Sequence, residues 1–226
     1  MPNAEVSARM HKHYLGTFTE HGATSRGVDW GSDGERHALR LAKMLQLLSH
    51  SGVGEGEERT LLDVGCGYGA LYPYLRSRWP RMQYTGIDLC KPMIDAALEA
   101  HPSASWIVGD LLEHDWTTRY DFVVCNGVLT QKLTTDPTEM LAFAETFIKR
   151  MFELSNIGMA FNVMTSHVNY KVPNLYYRDP GQVMHWVLDN ITNRVIIDHS
   201  YELYEFTTYA LRPTDGGSEQ CGRGQA

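Results

Sequence analysis

The stretch "LLDVGCGYGAL", residues 61–71, decides the fold. It begins as a short apolar run and meets glycine at once, which is typical of a buried parallel strand that turns into a helix. Its three glycines let the backbone turn tightly and come close to a ligand, with the N-terminus of the next helix facing that ligand. Gly65, Gly67 and Ala70 also fit the loose dinucleotide-binding pattern G-x-G-x-x-G/A. The stretch alone therefore leaves the identity of the ligand open.

Strand and helix patterns alternate on both sides of this stretch. The pattern predicts helices at 35–50, 70–79, 91–100, 137–155 and 180–191, and strands at 60–65, 82–89, 104–111, 120–129, 158–165, 194–200 and 204–212. Such alternation predicts an α/β fold with a Rossmann-like, doubly wound, mostly parallel sheet of seven strands, and a ligand cleft at the carboxyl ends of the strands. The last two strands lie too close together for a helical crossover, so they are expected to form an antiparallel hairpin at the sheet edge.

The chain is interpreted as one domain over residues 1–212. Within it we expect an N-terminal helical cover at 1–50 and an aromatic lid loop at 166–182, the latter because "HVNYKVPNLYYRDPG" (167–181) reads as neither helix nor strand. The polar, glycine-rich tail 213–226 is expected to be flexible.

Composition narrows the classes of function. The 226 residues carry a net charge of -7, which argues against a broad phosphate-binding surface, so no nucleic-acid partner is expected. The four cysteines form no CxxC pair, and neither a zinc ribbon nor a redox motif is indicated. No signal peptide and no stretch of membrane-span length is apparent, so we expect a cytoplasmic protein without a membrane partner. The sequence leaves open whether the chain forms a homodimer.

Acidic residues follow the next two strands. Asp88 ends the second strand, where a carboxylate can accept hydrogen bonds from both hydroxyls of a ribose, and Asp110 follows the third strand, placed to meet an adenine amino group. A nicotinamide site would explain the first acid but has no need for the second. A lone Asp is often a helix cap or a solvated strand end. Three acids at successive strand ends, counting Asp63, make that interpretation poor.

The glycine loop and these acids, in order over roughly residues 58–165, resemble the successive motifs of class I S-adenosylmethionine (SAM) methyltransferases. The resemblance implies that SAM is bound. No metal is expected, because Gly127, Thr130 and Gln131 after the fourth strand offer no metal ligand. The resemblance also implies a set of SAM-binding residues: Asp63, Gly65, Gly67 and Tyr68 around the methionyl part, Asp88 on the ribose, Leu89, Asp110 and Leu111 around the adenine, and Asn126 facing the sulfonium.

The N-terminal region supplies three further candidates for this site. Tyr14, Trp30 and Arg40 are predicted to close its other side, with Arg40 pairing with the methionyl carboxylate. The alternatives are a solvated helix face for Arg40 and a core position for Trp30.

A second resemblance covers nearly the whole chain. It is carried by "HGATSRGVDWGS" (21–32), "NGVLTQKL" (126–133), "AFNVMT" (160–165), "YKVPNLYYRDP" (170–180) and "LYEFTTY" (203–209), which are similar to a bacterial subfamily near the azetidine-2-carboxylate synthases. Those enzymes cyclise SAM by attack of its own amine on its γ-carbon and release methylthioadenosine. The resemblance, with no strong base or metal ligand after the fourth strand, favours this cyclisation. Methyl transfer to a small metabolite is the alternative, and a noncatalytic SAM-binding protein is the third hypothesis.

Catalytic candidates come mainly from the aromatic loop. The faces of Tyr170, Tyr176 and Tyr177 are predicted to stabilise a sulfonium through cation-π contact, although they would equally clamp a methyl acceptor or roof the core. Candidates for handling the proton of an amine are Asn126, His167 and Tyr176, and Asn162 is a candidate for orienting the amine or the carboxylate.

Overall fold

The computed structural model of the protein describes residues 2–213, so the predicted flexible tail lies, from residue 214 onward, outside the described residues. The helices are α1 (Pro2–His21), α2 (Gly34–Ser51), α3 (Leu71–Arg78), α4 (Lys91–Ala100), α5 (Pro137–Leu154) and α6 (Pro180–Asn190). The strands are β1 (Thr60–Val64), β2 (Gln83–Asp88), β3 (Ser105–Val108), β4 (Tyr120–Cys125), β5 (Ser155–Thr165), β6 (Tyr177–Arg178), β7 (Arg194–Asp198) and β8 (Glu205–Leu211).

Seven of the strands form one continuous sheet in the order β3-β2-β1-β4-β5-β8-β7. The five strands β3, β2, β1, β4 and β5 run parallel to one another, while β8 is antiparallel to both β5 and β7. The predicted doubly wound, mostly parallel fold with an antiparallel edge hairpin is therefore confirmed. Because chain order reverses between β1 and β4, a crevice opens at the carboxyl ends of these strands, which is where such folds bind ligands.

The aromatic loop differs from its prediction in one respect, because it contains the short eighth strand β6. Strand β5 extends beyond the end of β4, whose last paired residue, Cys125, lies opposite Phe161. The last residues of β5 would otherwise have a free edge on that side, and β6 pairs with them in parallel, Met164 with Tyr177 and Thr165 with Arg178. Two paired residues are too few to leave an alternating pattern in the sequence.

Helices cover both faces of the sheet. Alternate residues of the central strands point to opposite faces, so Leu62 and Val123 pack with α1, α5 and α6, whereas Leu61 and Phe122 pack with α2 and α3. Asp33 caps the N-terminus of α2, and its side chain accepts hydrogen bonds from the backbone amides of Glu35 and Arg36. Within residues 2–213, no helix has the length and apolar character needed to cross a membrane.

The central position of β4 leads to a stability prediction. Phe122→Ala should lower the free energy of unfolding by about 3–5 kcal/mol, because the ring is fully buried between the sheet and α2 and its removal leaves a cavity. Val108→Ala on the edge strand β3, where the side chain is about half exposed, should change it by less than about 0.5 kcal/mol. Urea unfolding measures both, and equal losses would contradict this description of the core.

Candidate functional site

A pocket lies at the carboxyl ends of β1, β2 and β4. Its floor is the glycine loop after β1 together with the residues that follow β2, β3 and β4, and its walls come from α1, α5 and the segment that leads into α2. The empty space, including the open mouth, is about 1010 Å³.

The glycine loop is fixed by the acid that ends β2. Gly65 and Gly67 have φ angles of 70° and 55°, in the left-handed region that favours glycine. The Gly67 amide donates to Asp88 Oδ2 at 2.9 Å, and the Cys90 amide donates to Asp88 Oδ1 at 2.8 Å. Asp88 therefore ties the loop after β1 to the start of α4, and each of its oxygens keeps a further lone pair for a ligand.

Two carboxylates lie in this pocket, of which Asp63 is buried and Asp88 is partly buried. Burial raises the pKa of Asp88, and the hydrogen bonds from the Cys90 and Gly67 amides and the charge of His11 oppose that rise. Burial also raises the pKa of Asp63 to about 7, against the effect of the hydrogen bond that the Tyr84 hydroxyl donates to it at 2.6 Å. Among the described residues that line the pocket there is no Lys or Arg, so its charged groups are carboxylates and histidines.

The residues that follow β3 occupy one end of the pocket. Gly109 and Asp110 line it, together with Leu89 after β2. The Asp110 carboxylate accepts a hydrogen bond from the Leu112 amide at 2.8 Å, which shapes the turn after the strand. Leu111 points into the core on the α1 and α5 side of the sheet. The structure therefore brings two of the three residues predicted for the adenine, Leu89 and Asp110, to the pocket, whereas Leu111 lies in the core.

Asn126 marks the other end of the pocket. Its side-chain oxygen Oδ1 is buried and has no hydrogen-bond partner within residues 2–213. The next residue, Gly127, has a φ of 102°, and its amide donates to Asn162 Oδ1 at 2.8 Å. Asn162 therefore lies behind the turn and holds it, while Asn126 offers an unused acceptor to the pocket.

Arg40 has a different environment from the one predicted for it. Its Nε lies 2.9 Å from Oε1 of Glu205, a residue of β8 that is only 1% exposed, and its guanidinium stacks 4.0 Å from the centre of the Trp30 ring. Burial raises the pKa of Glu205, and Arg40 opposes that rise. The charge of Arg40 is thus already paired outside the pocket. Trp30 and Tyr14, the other two N-terminal candidates, do line the pocket.

The predicted catalytic residues of the aromatic loop lie outside the pocket. Tyr176 is 5% exposed in the core, where its hydroxyl accepts a hydrogen bond from Arg178. Tyr170 is 78% exposed, the Tyr177 hydroxyl accepts a hydrogen bond from the Val172 amide, and His167 lies 3.2 Å from Asp179.

The loop does contact the turn after Asn126. The carbonyl of Asn174 accepts hydrogen bonds from the amides of Lys132 and Leu133, both at 2.8 Å. Its side chain donates to Gln131, and Gln131 in turn donates to Asp29, just before Trp30. The aromatic loop therefore supports the floor of the pocket from behind and has no residue on its wall within the part of the chain that the structure describes.

Several pocket residues were missed by the sequence analysis. Helix α1 presents Ser7, Met10, His11 and Tyr14 to the pocket at the i, i+3, i+4, i+7 spacing of one helix face, and this periodicity is the signal from which three of them were predictable. His37 on the first turn of α2 also lines the pocket. Across residues 2–213, no cluster of three or more His, Cys, Asp or Glu side chains is arranged to hold a metal ion.

A protein family and a relative that are similar to this chain are both described as methyltransferases. Residues 61–150 match the family described as "Methyltransferase domain". A putative methyltransferase of Mycobacterium tuberculosis is 31% identical over 160 residues, which are 69% of this chain and 94% of that protein.

Solved structures of similar shape establish the fold. The 1,6-didemethyltoxoflavin-N1-methyltransferase of Burkholderia thailandensis, solved with 1,6-didemethyltoxoflavin and S-adenosylhomocysteine, has a TM-score of 0.67 and 17% identity over 93% of this chain and 90% of its own. The magnesium protoporphyrin IX methyltransferase of Synechocystis, solved with S-adenosylhomocysteine, has a TM-score of 0.63 and 15% identity over 94% of this chain and all of its own.

The buried Asp63 leads to a prediction on pH dependence. Its folded pKa of about 7 exceeds the value in an unfolded chain, so its contribution to stability is full below about pH 4 and is lost as the pH rises to about 7. Asp63→Asn removes this titration and keeps an acceptor for Tyr84. Between pH 5 and pH 8, the wild type should lose about 2–3 kcal/mol more free energy of unfolding than the variant does.

Urea unfolding at the two pH values measures this difference. Asp95→Asn, at an exposed position on α4, is the matched control and should follow the wild type. An Asp63→Asn variant with the pH slope of the wild type would contradict the buried environment assigned to Asp63.

Proposed function

The chain belongs to the class I SAM-dependent methyltransferase family, and we propose that it binds SAM in the pocket and transfers the methyl group to a small molecule. Membership of this family confirms the resemblance to class I SAM methyltransferases that the sequence shows. The closer resemblance to the azetidine-2-carboxylate synthases stays a prediction.

One observation carries the proposal: a single pocket combines the glycine loop, two acids after neighbouring strands and an unused acceptor at its far end. Asp88 has lone pairs left for the two hydroxyls of a ribose, since the Gly67 and Cys90 amides use one lone pair on each of its oxygens. Asp110 and Leu89 suit the amino group and the face of an adenine. Asn126 Oδ1 suits the amine of the amino-acid part, because a buried acceptor without a donor is costly until a ligand supplies one. The residues present therefore fit SAM.

When bound, SAM supplies a methyl group activated by a sulfonium. The chain's own contribution is to hold the donor in a fixed position and to keep water away from it. Met10, Phe143 and Phe147 give the pocket an apolar wall, which lowers access of water to the reacting centre. Alignment of two reactants in such a site supplies much of the rate enhancement in displacement reactions.

A small acceptor fits this pocket better than a macromolecule does. Helix α1 lies over the site and contributes Ser7, Met10, His11 and Tyr14 to its wall, which leaves little room for a macromolecule at the donor. The net charge of -7 disfavours nucleic acid. The two structurally similar methyltransferases described above act on small molecules according to their descriptions, which supports the same substrate class for this chain.

Cyclisation of SAM is the second candidate, and the observation that favours it is again Asn126. An acceptor that holds the amine through one N–H leaves the nitrogen lone pair free if the amine is neutral, and such a nitrogen can attack the γ-carbon of the same molecule. Both reactions use the same SAM-binding residues, so the products must distinguish them.

Product analysis tests the proposal. The purified protein is incubated with SAM alone and with SAM plus a panel of small amine, hydroxyl and carboxylate acceptors, and the products are identified by mass spectrometry. We expect S-adenosylhomocysteine and a methylated product only when an acceptor is present. Methylthioadenosine with a cyclic amino acid from SAM alone would support cyclisation instead. Binding of SAM without either product across the panel would favour the noncatalytic hypothesis.

A binding experiment tests the position of the donor. Asp88→Ala removes the acceptor for the ribose and the carboxylate that holds Gly67, so the free energy of SAM binding should weaken by about 1–3 kcal/mol. Asp95→Ala, at an exposed position on the next helix, is the control and should bind SAM as the wild type does. Unchanged calorimetric affinity of Asp88→Ala would contradict the assignment of this pocket to SAM.

A further inference from the structure

His37 is a buried histidine that lines the pocket and has no role in the proposed function. It lies on the first turn of α2, its side chain lines the pocket, and it is 8% exposed. Its backbone amide donates to the Asp33 carbonyl, but no hydrogen bond within residues 2–213 involves its ring. A buried imidazole facing a cavity without a partner of its own is a site where a ligand group can bind.

His37 belongs to the Asn126 end of the pocket. Arg40 follows it by one turn of α2, on the same side of the helix, and stacks on Trp30. Trp30 packs so closely against the turn after Asn126 that a Cβ atom added to Gly127 would lie 2.7 Å from its ring. His37, Trp30 and Asn126 therefore line the end of the pocket opposite Asp110, which in the proposed function receives the amino-acid part of SAM.

That end has few partners for an anion. No Lys or Arg of the described residues lines the pocket, and Arg40 is already paired with Glu205. Of the two histidines on the wall, His11 lies close enough to Asp88 for its charge to lower the pKa of that acid, which places it at the ribose. A carboxylate that enters beside Asn126 therefore has His37 as its cationic partner.

In the free protein His37 is biased toward the neutral form. Its burial lowers the pKa of the ring, and the charge of Arg40 lowers it further. The charged and titratable groups on the elements around it are already engaged or stay uncharged. On β8, Glu205 pairs with Arg40, and in the glycine loop burial raises the pKa of Tyr68, so its hydroxyl stays neutral.

The titratable groups on the other elements around His37 are likewise engaged or uncharged. Burial raises the pKa of Tyr14 on α1, and Asp63 at the end of β1 accepts the Tyr84 hydroxyl. In the segment before α2, Asp29 bonds to His13 and Gln131, and Asp33 caps the helix. An incoming anion is therefore the change that favours a protonated His37.

We propose that His37 binds the carboxylate of the amino-acid part of SAM and takes up one proton from solvent as it does so. The inference rests on the proposed function, because it requires SAM to bind in this pocket. The proton goes to the free ring nitrogen, and the resulting N–H donates to the carboxylate, which makes the hydrogen bond charge-assisted.

The sign of the pH dependence follows from this step. The complex has a higher histidine pKa than the free protein, so SAM affinity is lowest above the pKa of the complex and increases as the pH falls toward the pKa of the free protein. A single proton limits the increase to about tenfold per pH unit. The amino group of SAM itself titrates near the usual value of about 7.7–8.0, so the measurement is made between pH 6 and pH 7.

Titration calorimetry in two buffers of different ionisation enthalpy counts the protons taken up. With wild-type protein, SAM binding should take up as much as one proton more than binding of decarboxylated SAM, which keeps the amine, the sulfonium and the adenosine. Because both ligands carry the sulfonium, this difference cancels any proton that Asp63, whose pKa is about 7, releases on binding. His37→Gln should lose the uptake and bind SAM roughly tenfold more weakly at pH 6.5. His185→Gln, on the exposed surface of α6, is the matched control and should behave as the wild type.

Three outcomes would overturn the inference while leaving the proposed function intact. They are equal proton uptake with SAM and decarboxylated SAM, a difference between the two ligands that His37→Gln leaves unchanged, and loss of that difference in His11→Gln while His37→Gln keeps it. The ligand comparison uses the wild-type protein alone, so it stands even if His37→Gln folds poorly. Absence of SAM binding at every pH would instead overturn the proposed function, and this inference with it.

Discussion

Burial of carboxylates at one edge of the sheet is the constraint on which the site depends. Asp63 and Glu205 are buried there and Asp88 is partly buried, and burial raises the pKa of each. An unpaired buried charge is costly, so each carboxylate needs donors from neighbouring elements. Tyr84 of β2 serves Asp63, the amides of Gly67 and Cys90 serve Asp88, and Arg40 of α2 pairs with Glu205.

The contacts of these carboxylates, together with those of the turn after Asn126, bring distant parts of the chain together behind Asn126. Arg40 reaches Glu205 from α2, and its stacking on Trp30 holds that ring against Gly127. Asn162 of β5 fixes the same turn through the Gly127 amide. Gln131, bridged to Asn174 and Asp29, ties the aromatic loop and the N-terminal segment to it. The helices before the first strand and the loop after the fifth therefore set the geometry of a turn that neither contains.

The sequence allowed prediction of the features that depend on local pattern. Apolar runs and alternating helices gave the sheet and its edge hairpin, and an acid directly after a strand was enough to place Asp88 and Asp110 on the pocket, because parallel strands end at one edge. The fate of Arg40 was not predictable, since its partner Glu205 lies 165 residues further on (205 − 40) and burial of that pair depends on tertiary packing.

Tertiary packing also explains why the sequence did not indicate His37 and why the tyrosines of the aromatic loop lie outside the pocket. His37 follows Glu35 and Arg36 in a stretch that reads as the solvated start of a helix, and only the position of α2 against the strand ends turns it into the pocket. The aromatic loop is rich in tyrosines, whose ring faces suit contact with a sulfonium. Their placement behind the turn follows from the extra length of β5, which draws Tyr177 and Arg178 into the sheet and moves the ring of Tyr176 into the core.

The charge balance of the pocket bears on the choice between the two reactions. Cyclisation needs the amine of SAM in its neutral form, because an ammonium has no lone pair with which to attack the γ-carbon. A pocket that holds Asp63 and Asp88 and is lined by no Lys or Arg among the described residues favours a positive charge on the ligand, and this raises the pKa of an amine held at Asn126. Protonation of His37 from solvent, which accompanies binding of the ligand's carboxylate, acts in the opposite direction, but the charge of His37 is then paired with that carboxylate. The electrostatics of the site therefore favour a protonated amine and, with it, methyl transfer to a second molecule.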